Sequence, residues 1–200
     1  MNSIEGFLTK IKTELDKNKS FPFWNLLTEL ESLKFTNEIK GKIEDSVHIE
    51  GKVYLAEGAV IKSGSRIEGN VFIGRNSVIG PNAFLRKNVV IANDCHISNS
   101  EIKNSIILAH SNVPHYSYVG DSVIGENVNL GAGTKIANLR FDDKTISVKL
   151  NGEKINSERR KLGACIGHNT KIGINASINC GIFISNNSKI LPAELVKENI

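Results

Sequence analysis

Between His115 and Arg140 the chain reads HYSYVGDSVIGENVNLGAGTKIANLR, a run that joins a histidine and a tyrosine to several asparagines and a glycine-rich turn. A neutral imidazole near pH 7 is suited to taking a proton from a reacting group, so His115 is a candidate for acid–base work. Gly131-Ala132-Gly133-Thr134 lacks the Walker spacing and the lysine that follows it, so it is not a P-loop. The turn has no bulky side chain and lets a ligand approach the backbone closely. His110 and His115 have a His-x4-His spacing that two zinc ligands could use, but a catalytic zinc takes three protein ligands and a water. None of the three cysteines, Cys95, Cys165 and Cys180, lies in the run, so a covalent acyl-enzyme is not expected.

These residues must be held by a scaffold, and the scaffold is a six-residue repeat. Every sixth residue from Ile43 to Ile97 is Ile or Leu: Ile43, Ile49, Leu55, Ile61, Ile67, Ile73, Ile79, Leu85, Ile91 and Ile97. Two positions before each of the last nine stands a small or β-branched residue, from Val47, Val53 and Ala59 to Val89 and Cys95. A period of six matches neither a helix nor plain alternation. It matches a short strand followed by a tight corner. Within a strand, positions i and i−2 face the same side, so both series point inward. Gly, Asn and Asp cluster between them, at Gly69-Asn70, Gly74-Arg75-Asn76 and Asn93-Asp94, where corners are needed. The prediction is an all-β parallel β-helix.

After Ile97 the pattern slips and resumes through Ile102, Ile107 or Leu108, Val113 and Val119. It slips again at Ile124, continues to Leu130 and Ile136, stops, and restarts at Ile166 through Ile190. Single-residue slips are read as local bulges. The gap holds Thr145–Leu150, Asn151-Gly152 and Glu153–Asn156, a hairpin signal that predicts an arm leaving the coil within about residues 138–161. Residues 1–40 carry helical spacings, Phe7, Ile11 and Leu15, then Phe23, Leu26, Leu27, Leu30 and Leu33. They predict two helices closing the open end of the coil. The coil is expected over 41–191, with 192–200 as a tail.

Composition sets outer limits. The net charge is +4 with scattered Lys and Arg, which gives no basic block for nucleic acid. No apolar run is long enough for a bilayer, and residues 1–18 have no signal-peptide core, so no membrane role is expected. Three cysteines without a CxxC pair suit a reducing, cytoplasmic setting.

The markers His115-x-x-Tyr118-x-Gly120-Asp121, Gly125-x-Asn127-Val128-Asn129, Gly131-Ala132-Gly133-Thr134 and Asn138 together resemble one family. It is the acetyltransferase domain of the bifunctional N-acetylglucosamine-1-phosphate uridyltransferase / glucosamine-1-phosphate N-acetyltransferase, bacterial and archaeal, a hexapeptide-repeat acyltransferase. The similarity runs from about Ile73 to Ile184. The resemblance implies a left-handed coil, a homotrimer with active sites between subunits, and transfer of acetyl from acetyl-CoA to the amine of an amino sugar phosphate, with glucosamine 1-phosphate the first choice. It implies that His115 is the general base and that Asn138 contacts the reacting amine and acetyl group. It assigns Arg86, Lys103, Tyr118, Asn129 and Lys144 to the sugar phosphate, and Ala132 to the CoA arm.

The chain also departs from that family. No glycine-rich nucleotide loop is found and the first forty residues are too few for a nucleotidyltransferase domain, so no uridyltransferase activity is expected. Ile174 stands where the bacterial enzyme places a CoA-contacting serine. Two other readings remain open: a non-enzymatic oligomeric or regulatory module, and a gamma-type zinc carbonic anhydrase. The third zinc ligand of the latter would fall near Gly74, where no histidine stands.

Overall fold

The computed structural model describes residues 4–200; the first three residues of the expected helical segment lie outside the described residues. The chain winds into a three-faced parallel β-helix. Val53–Leu55 lies on the first face, Val60–Ile61 on the second and Arg66–Glu68 on the third. Val71–Ile73 then returns to the first face, and Val53 pairs in parallel with Val71, 18 residues on. The second face is an eight-stranded parallel sheet. The other two faces merge into one sheet because Phe84–Ile91 and Glu101–Ile107 run unbroken around the corner between them.

The two predicted series fill the interior. From Leu55 to Ile97 the Ile/Leu ladder is fully buried, and only Ile43 and Ile49, in the first coil, stay partly open. Each such side chain contributes about 1.5–3 kcal/mol when taken out of water. Ser65 and Ser77 fit among the small residues because their hydroxyls find backbone partners. Ser77 Oγ donates to the Ala92 carbonyl and accepts from the Cys95 amide. Corners adopt the left-handed conformation, with Asn or Asp at Asn76, Asp94, Asn82 and Asn99. Their side chains stack from coil to coil, as in Asn82 Nδ2 donating to Asn99 Oδ1 at 3.2 Å.

The slips after Ile97 are shortened coils. Phe84 pairs with Glu101, 17 residues on, and Val89 with Ser105, only 16 on, with a bulge between Lys103 and Ser105. Ile107 enters the core, whereas Leu108 turns outward.

Three expectations need correction. The helices α1 (Ile4–Asp16) and α2 (Trp24–Ser32) do not close an end of the coil; they lie along its first face. The outward residue of each strand there is apolar in successive coils: Val90, Ile106, Val123, Cys165 and Phe183, all buried beneath Phe7, Ile11, Leu15, Phe23, Leu27 and Leu30. An apolar stripe that long must be covered, and the amphipathic helices cover it. The hairpin forms as predicted, with Ser147–Leu150 antiparallel to Glu153–Asn156 around Asn151-Gly152. It folds back instead of leaving the coil, because Ile146 and Val148 join the same apolar cluster. The segment 192–200 continues the coil: Leu195–Val196 pairs with Ser177–Ile178, and Val196 lies in the core.

Candidate functional site

Most of the predicted residues lie on the third face and at the corner where the second face turns into it. His115 occupies that corner at φ 62, with its imidazole exposed. Its amide donates to the Ser98 carbonyl, and its carbonyl accepts from the Gly133 amide at 2.8 Å. The turn Gly131–Thr134 therefore lies directly on the coil after His115, and Ala132 is half-buried within it. A Cβ on Gly133 would meet Asn175 Oδ1 at 2.3 Å, so the stacked corners leave no room for a side chain there. Ile174, at the same corner one coil further, is exposed.

On the third face, strand register aligns Arg86 with Lys103 and Lys103 with Gly120. Tyr118 starts the strand that Gly120 ends, and Asn138 leaves the strand paired beside it. Asn138 Nδ2 donates to Tyr118 Oη at 3.0 Å and to Asp121 Oδ2 at 2.6 Å. Lys103 Nζ also reaches Asp121 Oδ2, and both side chains are buried. Gly120 is required beneath them, since a Cβ there would lie 2.5 Å from Tyr118 Oη and 2.7 Å from Asn138 Nδ2. The fold thus brings Arg86, Lys103, Tyr118 and Asn138 together and puts His115 and Ala132 at the adjoining corner. Asn129 sits around that corner on the second face, paired with Asn112. Lys144 is exposed in the loop leading to the hairpin, where its amide donates to Asp142 Oδ1. In one chain these last two residues stand apart from the Tyr118–Asn138 cluster.

Electrostatics follow from burial. Desolvation lowers the Lys103 pKa against the pull of Asp121. Desolvation raises the Tyr118 phenol, helped by Glu101 and Asp121. Two of the three cations expected to meet the sugar phosphate are already matched by a carboxylate, Lys103 by Asp121 and Arg86 by Glu101 at 2.6 Å. Asp121 and Glu101 are passed over in the sequence reading; Asp121 is visible there only as a motif letter. The His96 pKa is lowered by burial, then by Lys62 and by His115. The cysteines are poor nucleophiles here: burial pushes the Cys95 thiol up to about 12 and raises Cys165 and Cys180 as well.

His110 lies at a different corner from His115 and approaches Asp94 at 3.8 Å. Among the described residues no group of three His, Cys, Asp or Glu side chains is placed to hold a metal. Among the same residues no helix is long and apolar enough to cross a membrane.

A parallel coil of six-residue repeats with Asn- and Gly-bearing corners defines the class: a hexapeptide-repeat β-helix. Residues 67–200 match the family model described as the GMPPB C-terminal domain, and the chain belongs to that family. It is 47% identical over 182 residues to the bifunctional sugar-1-phosphate nucleotidylyltransferase/acetyltransferase of Sulfurisphaera tokodaii, covering 88% of this chain and 45% of that protein. It is 49% identical over 182 residues to the bifunctional protein GlmU of Methanococcus aeolicus, covering 88% and 44%. The chain spans less than half the length of these curated relatives. The family resemblance carried by His115–Asn138 is thereby borne out. Among solved structures, the polysialic acid O-acetyltransferase OatWY aligns over 84% of this chain and 81% of its own, at 19% identity and a TM-score of 0.46.

Proposed function

We propose that the protein transfers an acetyl group from acetyl-CoA to the amine of an amino sugar phosphate, with glucosamine 1-phosphate as the first acceptor to test. The observation that carries this reading is the stacking of His115 on the small-residue turn Gly131–Thr134, at the corner from which the strand to the Asp121–Asn138–Tyr118 cluster starts. The turn leaves a path for the CoA arm along the corner. The cluster offers an amide and a phenol to the acceptor.

In the proposed reaction the acceptor amine attacks the thioester carbonyl. The C–N bond forms, the C–S bond breaks, and CoA leaves. His115 removes the proton from the amine nitrogen and delivers it to the departing thiolate, so that free CoA thiol and the acetamido sugar phosphate result. Backbone amides near the turn stabilise the oxyanion. Asn138 holds the amine and acetyl region, and Tyr118 the sugar. Asn129 and Lys144 stand away from these groups within one chain, which supports their contribution from a neighbouring subunit of a homotrimer. The co-substrate and the reduced thiols fit a cytoplasmic enzyme.

A thiol-release assay with acetyl-CoA against glucosamine 1-phosphate, galactosamine 1-phosphate and the unphosphorylated amino sugars tests the proposal. Turnover restricted to a phosphorylated amine is expected. No thiol release with any amine, together with no heat of CoA binding in calorimetry, would sink it in favour of an inert module.

A further inference from the structure

The last turn of α2 reaches the Tyr118–Asn138 cluster through side chains that the proposed reaction does not use. Glu31 Oε1 accepts from Asn104 Nδ2 at 2.8 Å, and the same nitrogen donates to Asp121 Oδ1 at 3.0 Å. Asp121 Oδ2 takes Lys103 Nζ and, at 2.6 Å, Asn138 Nδ2. A continuous hydrogen-bonded chain therefore runs from Glu31 through Asn104 and Asp121 to Asn138. Arg159, which follows the hairpin, is the counter-ion of Glu31 at the outer end.

Each link has a direction. A carboxylate only accepts, so Asp121 holds Asn138 with its nitrogen toward the acid and its oxygen turned away from it. An amide so oriented presents an acceptor to the N–H groups of an attacking amine. Asp121 could still turn about its terminal torsion, which is broad in aspartate, and carry Oδ2 away from Asn138. Lys103 and Asn138 both bind Oδ2; among the described residues only Asn104 binds Oδ1. Asn104 is fixed in turn. It is buried, and its own Oδ1 has no hydrogen-bond partner. Turning the amide over would set that oxygen against two carboxylates, which costs more than leaving it unpaired. Burial raises the Glu31 pKa, but hydrogen bonds from Arg159 and Asn104 outweigh burial and leave it lowered, so Glu31 is an anionic acceptor near neutral pH.

We propose that Glu31 and Asn104 are positioning residues for the acetylation of the amine: they fix the carboxylate of Asp121, which in turn fixes the Asn138 amide. Helix α2 then serves the site as well as covering the apolar stripe. The role given to Asn138 rests on the acetyl-transfer reading above; the coupling from Glu31 to Asn138 does not.

Three variants of the full chain separate positioning from mere support. Glu31→Ala removes both the ion pair and the acceptor for Asn104. Glu31→Gln keeps a carbonyl oxygen for Asn104 and loses the ion pair. Arg159→Met loses the ion pair and leaves Glu31 on Asn104. The Tm should fall alike in all three. In the thiol-release assay Glu31→Ala should lower kcat about tenfold with KM for acetyl-CoA unchanged, whereas Glu31→Gln and Arg159→Met stay within about twofold of wild type. Asn104→Gly, which suits the left-handed corner at φ 47, should match Glu31→Ala. Equal kcat losses in the three variants, or a Glu31→Ala protein within about twofold of wild type, overturn the proposal. NMR with isotopic nitrogen at asparagine reads the coupling without turnover. The Asn138 side-chain amide signal, identified by its loss in Asn138→Ser, should move in Glu31→Ala and hold in Arg159→Met. A signal that stays put in Glu31→Ala, or moves equally in both, overturns the coupling. If no amine is acetylated but the signal still depends on Glu31, the acetyl-transfer reading fails and the coupling stands.

Discussion

The ammonium of Lys103 lies 2.5 Å from Asp121 Oδ2, with both side chains almost wholly out of water. The carboxylate also takes hydrogen bonds from Asn138 and Asn104, so one buried acid organises the candidate site. Removing it leaves a buried cation alone. Asp121→Ala is expected to destabilise the fold by about 3–5 kcal/mol. Urea unfolding measures this. A loss below about 1 kcal/mol would show that water or another acid replaces Asp121.

His115 is the candidate base, and its corner needs φ 62. Alanine there would add backbone strain to any chemical defect, whereas asparagine tolerates the left-handed region. His115→Asn should therefore keep Tm nearly level and lower kcat for amine acetylation by roughly a hundredfold or more. Turnover within a few-fold of wild type removes the base assignment.

Gly120 is the floor under the Tyr118–Asn138 hydrogen bond. A methyl group there must push Tyr118 Oη or Asn138 Nδ2 aside, and both end flexible side chains close to solvent. Gly120→Ala is expected to cost activity more than stability: kcat/KM down at least tenfold, with a modest change in Tm. A variant with normal kcat/KM would mean that this contact does not position the acceptor.

His168 joins α1 to the coil. Its Nδ1 accepts from the Glu126 amide at 2.8 Å, and its Nε2 lies 3.5 Å from Asp16, with Lys12 bound to Glu126 nearby. Burial first, then Lys12, lowers its pKa from 6.5, against the opposing pull of Glu126 and Asp16. The folded chain therefore holds a neutral imidazole that the unfolded chain protonates more readily. Its stabilising contribution is complete above about pH 6.5 and is lost as pH falls through the lowered folded-state value. Thermal melts should show Tm dropping below pH 6.5, and His168→Gln should flatten that part of the profile. An unchanged slope in the variant would assign the drop to other groups.

Much of the coil is legible in the chain because its reason is local. An Ile or Leu every sixth position, a small residue two before it and Asn or Gly at the bend describe a strand and corner that repeat without reference to distant residues. The hairpin is legible for the same cause, through Asn151-Gly152. The helices' destination is not. It depends on Val90, Ile106, Val123, Cys165 and Phe183, which lie 16 to 42 residues apart and become one stripe only when the coils stack. Read singly, each is an ordinary apolar residue beside an inward-facing one. The strand at Leu195–Val196 is missed because it adds only one further step to the ladder.

The chemical residues divide in the same way. His115, Tyr118, Asn138, Lys103 and Arg86 stand out in the linear chain by type, spacing and resemblance. Their partners do not, because Glu101 meets Arg86 from 15 residues away, and Asp121 meets Lys103 and Asn138 from 18 and 17 residues away. The amino-acid sequence alone determined a six-residue coil and a histidine-bearing motif, since both follow from short-range pattern. Only the tertiary structure decided that Asp121 neutralises Lys103 and that the helices lie along a face. Burial and charge pairing are properties of stacked coils, and no stretch of chain carries them by itself.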